Sequence, residues 1–537
     1  MRWDARDGTG DVRREQGTSH ASRVWRVVVF RAFFCAVPPA AAQSITPAVR
    51  AWREQHELEI VRELTMFLAI PNLASDAMNV RRNAEALRTM LERRGVTAHL
   101  LENGAYPPAV FGELQAPGAV RTVMFYAHYD GQPVEPREWM TPPWQPTLRS
   151  APSENGAAGA VLAMPAQGRF DPESRLYARS ASDDKSPIIA MLAALDALKA
   201  TGTPRTVNLK FFFEGEEEAG SAHLTPLLEH NPALLAADVW LFCDGPVHQS
   251  RKMQIVFGAR GVMGLELTAY GPSRALHSGH YGNWAPNPAA LLSELIASMR
   301  DGDGKILIDH YLDDVLPTTA AERAAVRALP PIDDELRRSL LLGGSEASGA
   351  PLFERIMQPA INVRGLRSGQ VGALATNSVP TSAQASLDFR LVPRQTPARV
   401  RELVEAHLVK RGWFVVHEEP TDAVRLAHPK VARLDWEGGY ASVRTSMDLP
   451  ASRAVRRVAS EAIGAEVLAL PTLGGSLPLN TFAELFKAPL ITVPIVNHDN
   501  SQHAKDENLR LQNLWDGIEL FAGLMARLGP AWNGPVP

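Results

Sequence analysis

Apolar residues recur three and four apart through HELEIVRELTMFLAI (56–70) and RRNAEALRTMLERRG (81–95), which predicts two amphipathic helices. The texture then changes to short apolar runs alternating with helical stretches. TAHLLE, AVFGEL and TVMFYA read as strands, SPIIAMLAALDALKATG as a helix ended by Gly202, and VNLKFFF and DVWLFC as strands again. The same alternation returns late in the chain, with RAVRRVASEAIG and LRLQNLWDGIELFAGLMARLG as helices around the strand APLITVPIV. Strands apolar along their whole length, alternating with helices, predict an α/β fold with a mainly parallel sheet covered by helices.

From about Ala259 to Tyr440 the pattern differs. VMGLELTAYG and SAQASLDFRLVP alternate as half-exposed strands do, while NPAALLSELIASMR and TPARVRELVEAHLVKRG are amphipathic helices. That is an α+β module with one open sheet face. The expected organisation is a catalytic domain over 43–258 and 441–537, with an inserted α+β lid or dimerisation domain over 259–440.

A chain of 537 residues is long enough for two domains or more. A net charge of −4, with no Lys/Arg block, excludes an electrostatic case for nucleic acid. Two cysteines, Cys35 and Cys243, exclude a disulfide scaffold and a Cys-rich zinc site, so any metal must be held by His, Asp and Glu. Residues 1–42 read as a signal peptide: Arg23 and Arg26 precede an apolar stretch broken only by Arg31, which ends in Ala40-Ala41-Ala42. This implies a periplasmic or secreted protein, or a cytoplasmic one if the segment does not act as a leader. No stretch of 18 apolar residues follows, so no membrane contact is expected once the leader is removed.

The chemistry collects where apolar runs end. TVMFYA is followed by His128 and Asp130, LKFFF by Glu214, Glu216, Glu217 and Glu218, DVWLFC by Asp244, and PLITVPIV by His498 and His503. RSASDDKSP adds Asp183 and Asp184 before a helix, where either could simply be an N-cap. Ligands of open α/β sheets bind at the carboxyl ends of strands. Carboxylates crowded at one such edge repel, and divalent cations that also accept imidazole relieve the repulsion. Paired metals are a known hydrolytic device.

AHYDGQPV, ASDDKSP, EGEEEAGS, CDG and HAKDEN, in that order, resemble the dinuclear zinc peptidase family M20, which includes carnosine dipeptidases, aminoacylases and succinyl-diaminopimelate desuccinylases. The His-Tyr-Asp-x-Gln-Pro form is most similar to the dipeptidase branch. The resemblance implies two divalent metal ions, zinc first with manganese or cobalt as alternatives. It implies His128, Asp183 and Asp244 on one ion and Asp183, Glu218 and His503 on the other. Asp130 would fix the His128 tautomer, Asp184 would have a capping or supporting role, and Glu217 would be the general base.

In LHSGHYGN, His277 matches a lid histidine that stabilises the oxyanion, often across a dimer, so a homodimer is implied. Arg390 matches the group that binds a substrate carboxylate, and Asn377, Gly475 and Ser476 match substrate-contacting loops. Gly131, where many members carry Val, and His280 depart from the pattern. The implied reaction is hydrolysis of dipeptides or short peptides, or alternatively deacylation of N-acyl amino acids. Two other readings stay open at this point: a catalytically dead binding or dimerisation module, and a serine acyl-enzyme built on Ser182-x-x-Lys185.

Overall fold

A computed structural model describes residues 45–152, 159–475 and 479–532. The leader expected over residues 1–42 and the substrate-loop residue Ser476 lie outside the described residues.

The long apolar runs pair into one eight-stranded sheet. In spatial order its strands are Thr97–Asn103, Tyr106–Leu114, Asn208–Glu214, Thr122–His128, Val239–Phe242, Leu490–Thr492, Gln254–Val256 and Leu468–Leu470. The strands from Asn208–Glu214 to Leu490–Thr492 run parallel. The first two strands join antiparallel, as does Leu490–Thr492 with Gln254–Val256, so the sheet is parallel at its centre and mixed at its margins. The central strands are also the ones buried along nearly their whole length, as expected for strands covered on both faces.

One face carries the helices Thr46–Leu68, Lys185–Ala200, Pro450–Ile463 and Leu511–Ala531, whose apolar residues form one large core with the sheet. Gly517 lets the last helix lie close to the chain beyond the sheet, since a Cβ there would meet Ile495 Cδ1 at 2.5 Å. The other face has a smaller, aromatic core in which Phe482 sits among Tyr126, Phe212, Trp240 and Phe242, with ring centroids 5.1–6.5 Å away.

The alternating runs form a second, five-stranded sheet in the order Ala360–Arg367, Ser382–Leu391, Gly261–Tyr270, Val431–Tyr440 and Phe414–Val416. Odd-numbered residues of its two central strands, such as Leu265, Leu267, Leu387 and Phe389, share a separate core with the helices Pro288–Met299 and Pro397–Lys410. The even-numbered positions on the opposite face are polar: Asn362 donates to Asp388 at 2.8 Å, and Arg364 bridges Glu266 and Glu437. Period-two alternation thus produces one buried and one open face. Among the described residues no helix is long and apolar enough to cross a membrane.

Replacing Phe482 with Ala removes the ring at the centre of the aromatic core. The expected cost is about 3–5 kcal/mol, read as a lower denaturation midpoint.

Candidate metal centre

His128 is the last residue of its strand and is fully buried. Glu214 ends the neighbouring strand, and the chain turns there so that Glu217 and Glu218 open a short 3₁₀ turn. Asp130 sets that turn: its carboxylate accepts the backbone N–H of Glu217 at 3.1 Å and of Glu218 at 3.0 Å. Asp244 comes two residues after the next strand ends at Phe242, and Asp183 precedes the Lys185–Ala200 helix. His503 comes from the loop after the Leu490–Thr492 strand, in the left-handed region at φ 61°.

These elements bring two three-residue clusters together. Donor atoms of His128, Asp183 and Asp244 lie within 4.8 Å of one another, as do those of Asp183, Glu218 and His503. Asp183 belongs to both, with Oδ1 2.9 Å from His128 Nε2 and Oδ2 3.1 Å from His503 Nε2. Glu218 Oε2 is 3.3 Å from His503 Nε2, and Glu217 Oε2 is 4.0 Å from His128 Nε2. His498 joins neither cluster.

The charge balance of this edge is lopsided. Burial, then the charge of Asp183, pushes Glu218 up to about 7 and Asp244 up to about 6. Burial also lifts Glu217 well above the usual carboxylate range, aided by Asp244, Glu218 and Glu214. Burial opposes a charge on His128, yet Asp130 and Asp183 raise its pKa well above the ordinary histidine value. Burial likewise opposes ionisation of Asp183, but hydrogen bonds to His128 and His503 hold it low. Carboxylates are thus packed at a depth where they ionise reluctantly without a cation.

The layer behind is organised by Glu507, a fully buried residue that reading along the chain passed over. Its carboxylate takes Arg179 Nη1 at 2.8 Å and the backbone N–H groups of Ser180, Ser182 and Asp183, each at 2.9 Å. Ser182 Oγ also donates to Glu507, while buried Lys185 donates to the carbonyls of Phe67 and Ile70. Ser182 and Lys185 therefore have other partners than each other, and the serine acyl-enzyme reading loses its geometry. The capping expectation for Asp184 fails as well. It stands at the helix N-cap without a side-chain cap bond, and its Oδ2 accepts the His128 N–H at 3.3 Å. Gly131 has a packing cause: a Cβ there would meet Ser180 Oγ at 2.5 Å and Asn72 Nδ2 at 3.0 Å.

A family model described as "Peptidase family M20/M25/M40" matches residues 124–527. The chain belongs to this family. It is 26% identical over 484 residues to a Cys-Gly metallodipeptidase of Schizosaccharomyces pombe, covering 86% of this chain and 94% of that protein. To the Beta-Ala-His dipeptidase of Homo sapiens it is 25% identical over 519 residues, covering 91% and 93%. Among solved structures, a M20 family metallo-carboxypeptidase from Sulfolobus solfataricus superposes with a TM-score of 0.69 at 28% identity, covering 88% of this chain and 99% of that one. Human carnosine dipeptidase 1 shares the fold with a TM-score of 0.67 at 23% identity, covering 92% and 100%.

The chain is thus a metallopeptidase, and its cofactors are two divalent metal ions, zinc first. The residues present fit such a pair. The donors are carboxylate oxygens and imidazole nitrogens, one carboxylate is shared by both clusters, and His128 and His503 offset the surrounding acids only in part, leaving Glu218 and Asp244 raised.

The lid residues lie apart from the two clusters. Exposed His277 accepts the Gly279 N–H at 3.0 Å, its ring 4.6 Å from that of His280, and the neighbouring Ser278 N–H bonds the Asn377 carbonyl at 2.9 Å. His277 and Asn377 are therefore neighbours. Arg390 donates Nε to Asp388 at 3.0 Å on the polar face of the lid sheet. Gly475 is exposed on a loop whose Gly474 carbonyl is held by Arg260 Nε at 3.0 Å, a tie that reading along the chain did not single out.

In the metal-free protein Glu218 and Asp244 retain protons that the unfolded chain releases, so stability falls as pH rises from about 4.5 towards 7. Raised His128 acts in the same sense, its contribution lost as pH climbs through its folded pKa. Lowered Asp183 contributes fully above the ordinary carboxylate pKa and loses its contribution only at lower pH. The expected result is a zinc-induced rise in thermal midpoint that grows between pH 5 and pH 8, measured by scanning metal-free protein with and without zinc. Glu507→Ala leaves Arg179 buried without its carboxylate, with an expected loss of about 3–5 kcal/mol and lower zinc stoichiometry on elemental analysis.

Proposed function

We propose that the protein is a dinuclear dipeptidase that hydrolyses short peptides bearing a free C-terminal carboxylate. One observation carries the reading: two donor clusters share Asp183 and have Glu217 beside them, in a chain of a peptidase family. In this reading His128, Asp183 and Asp244 hold one ion, and Asp183, Glu218 and His503 hold the other. The metal pair supplies Lewis acidity for the scissile carbonyl and for the nucleophilic water.

Glu217 takes a proton from that water and returns it to the leaving amine as the C–N bond breaks. Burial and the neighbouring acids Asp244, Glu218 and Glu214 raise its proton affinity above that of an ordinary carboxylate, the direction a general base that also returns a proton requires. Asp130 holds Glu217 and Glu218 in register through their backbone N–H groups, and its Oδ1 lies 3.4 Å from His128 Nδ1, which orients the imidazole. Arg390 binds the substrate carboxylate, with the 474–475 loop and Asn377 bounding the substrate. The segment 259–440 acts as the lid, and in a homodimer His277 reaches the oxyanion of the facing site. The relatives named as dipeptidases, matched over 86% and 91% of this chain, support a dipeptide substrate.

Glu217→Gln is expected to keep two zinc ions by elemental analysis while losing on the order of 10²–10⁴-fold in kcat on dipeptides. Glu216 lies against His223, with Oε1 2.7 Å from Nδ1, so Glu216→Gln should stay within about threefold of the parent. Equal losses at 216 and 217, or faster cleavage of N-acyl amino acids than of dipeptides, would overturn the reading.

A further inference from the structure

The central strands of the lid sheet keep a strict alternation, with odd residues of 261–270 and 382–391 towards the core and even residues, including Val262, Asp388 and Arg390, on the polar face. The adjoining strand Val431–Tyr440 begins in phase with this: Ala432 and Leu434 are core residues and Trp436 packs against them. Continued without interruption, that alternation would turn residue 440 towards the core as well.

It is interrupted. Leu265 pairs with Trp436, but Met263 pairs with Gly439, so two residues, Glu437 and Gly438, stand opposite Gly264 alone. The glycines permit the irregularity: a Cβ on Gly264 would meet Glu437 Oε2, and one on Gly439 would meet Met263 Cβ and Val262 O, both at 2.5 Å. The extra residue inverts the facing of the positions beyond it. Tyr440 pairs with Val262, which on its other side pairs with Arg390, so Arg390, Val262 and Tyr440 form one row on the polar face. β-Bulges commonly re-aim a side chain beside an active site in this way.

Tyr440 is half-buried, and none of the described residues hydrogen-bonds its phenol. Burial raises its pKa, the charge of Glu217 raises it further, and Arg390 lowers it. The phenol therefore lies within electrostatic reach of both groups and stays protonated as a donor. Glu217 is the group that protonates the leaving amine, and Arg390 the group that binds the leaving residue's carboxylate. Those two atoms of one amino acid are separated by a single α-carbon.

We propose that Tyr440 is a substrate-contacting residue whose O–H donates a hydrogen bond to the C-terminal carboxylate of the dipeptide, beside Arg390, and so places the leaving amine before Glu217. The inference rests on the dipeptidase reading and adds to it a second carboxylate donor and its cause, the bulge at Glu437–Gly438.

The test uses zinc-loaded full-length protein, the Tyr440→Phe variant, and matched dipeptides ending in a free carboxylate or a carboxamide. Metal content and thermal midpoint should match between the two proteins, since the ring is retained. Tyr440→Phe should raise KM for the free-acid dipeptide by roughly tenfold or more, the size of a lost hydrogen bond to a charged group, with kcat changed less than about threefold. The kcat/KM for the carboxamide should be nearly the same in both proteins. Equal KM values on the free acid, or equal losses on acid and amide, would overturn the Tyr440 assignment and leave the dipeptidase reading standing. Failure of the parent protein to cleave any dipeptide would overturn both.

Discussion

Buried negative charge at the carboxyl edge of the large sheet is the constraint around which the rest of the structure is arranged. Asp183, Asp244, Glu217 and Glu218 gather there, offset in part by His128 and His503. Burial first, and repulsion between like charges second, raise the proton affinities of Asp244, Glu217 and Glu218 in the metal-free chain, while hydrogen bonds from the two histidines hold Asp183 low. A site so arranged is preorganised for divalent cations: burial and crowding disfavour the charged acids without metal and favour them with it. Burial, with the same crowding behind it, raises the proton affinity of Glu217.

Holding these groups in place requires rigid backing, and the fold supplies it from sequence-distant parts. Glu507 fixes the 180–183 loop through three backbone N–H groups and Arg179, and Asp130 fixes the Glu217–Glu218 turn through two more. Asp130 accepts two backbone N–H groups, and Glu507 accepts three together with Arg179 and the Ser182 hydroxyl, so both acids act by setting the positions of their neighbours. Arg175, bonded to Asp499 and Asn508, ties down the segment that carries His503. The five-stranded sheet contributes differently, through a polar face on which Arg390, Val262 and Tyr440 stand in one row.

Part of this was legible along the chain because strand ends and the residues just past them are local features. The apolar runs ending at His128, Glu214 and Cys243 announced their strands, and parallel packing sends such ends to one edge. In the fold the glutamate run separates by position, with Glu218 in a cluster, Glu217 beside it and Glu216 turned to His223. Glu214, which ends its strand, is buried and accepts the Tyr126 hydroxyl at 2.7 Å.

Periodicity and strand-end chemistry, both short-range properties of the chain, were enough to indicate the two kinds of sheet, the helices beside them and the strand ends where acids and histidines collect, while the division of those residues into ligands came from the family resemblance. The assignment of partners among residues of similar type was decided only by tertiary structure. Glu507 could not be told from any acid in HAKDEN until a loop more than 300 residues earlier folded onto it. Asp184 could be read as a helix cap or as a supporting acid, and its side chain makes no cap bond but takes the backbone N–H of His128 at the end of a strand. Tyr440 sat at a position whose alternation pointed inward, and one extra residue in the strand turned it outward. In each case the outcome depended on which long-range partner offered the better hydrogen bond or fit, a comparison that exists only once the chain is packed.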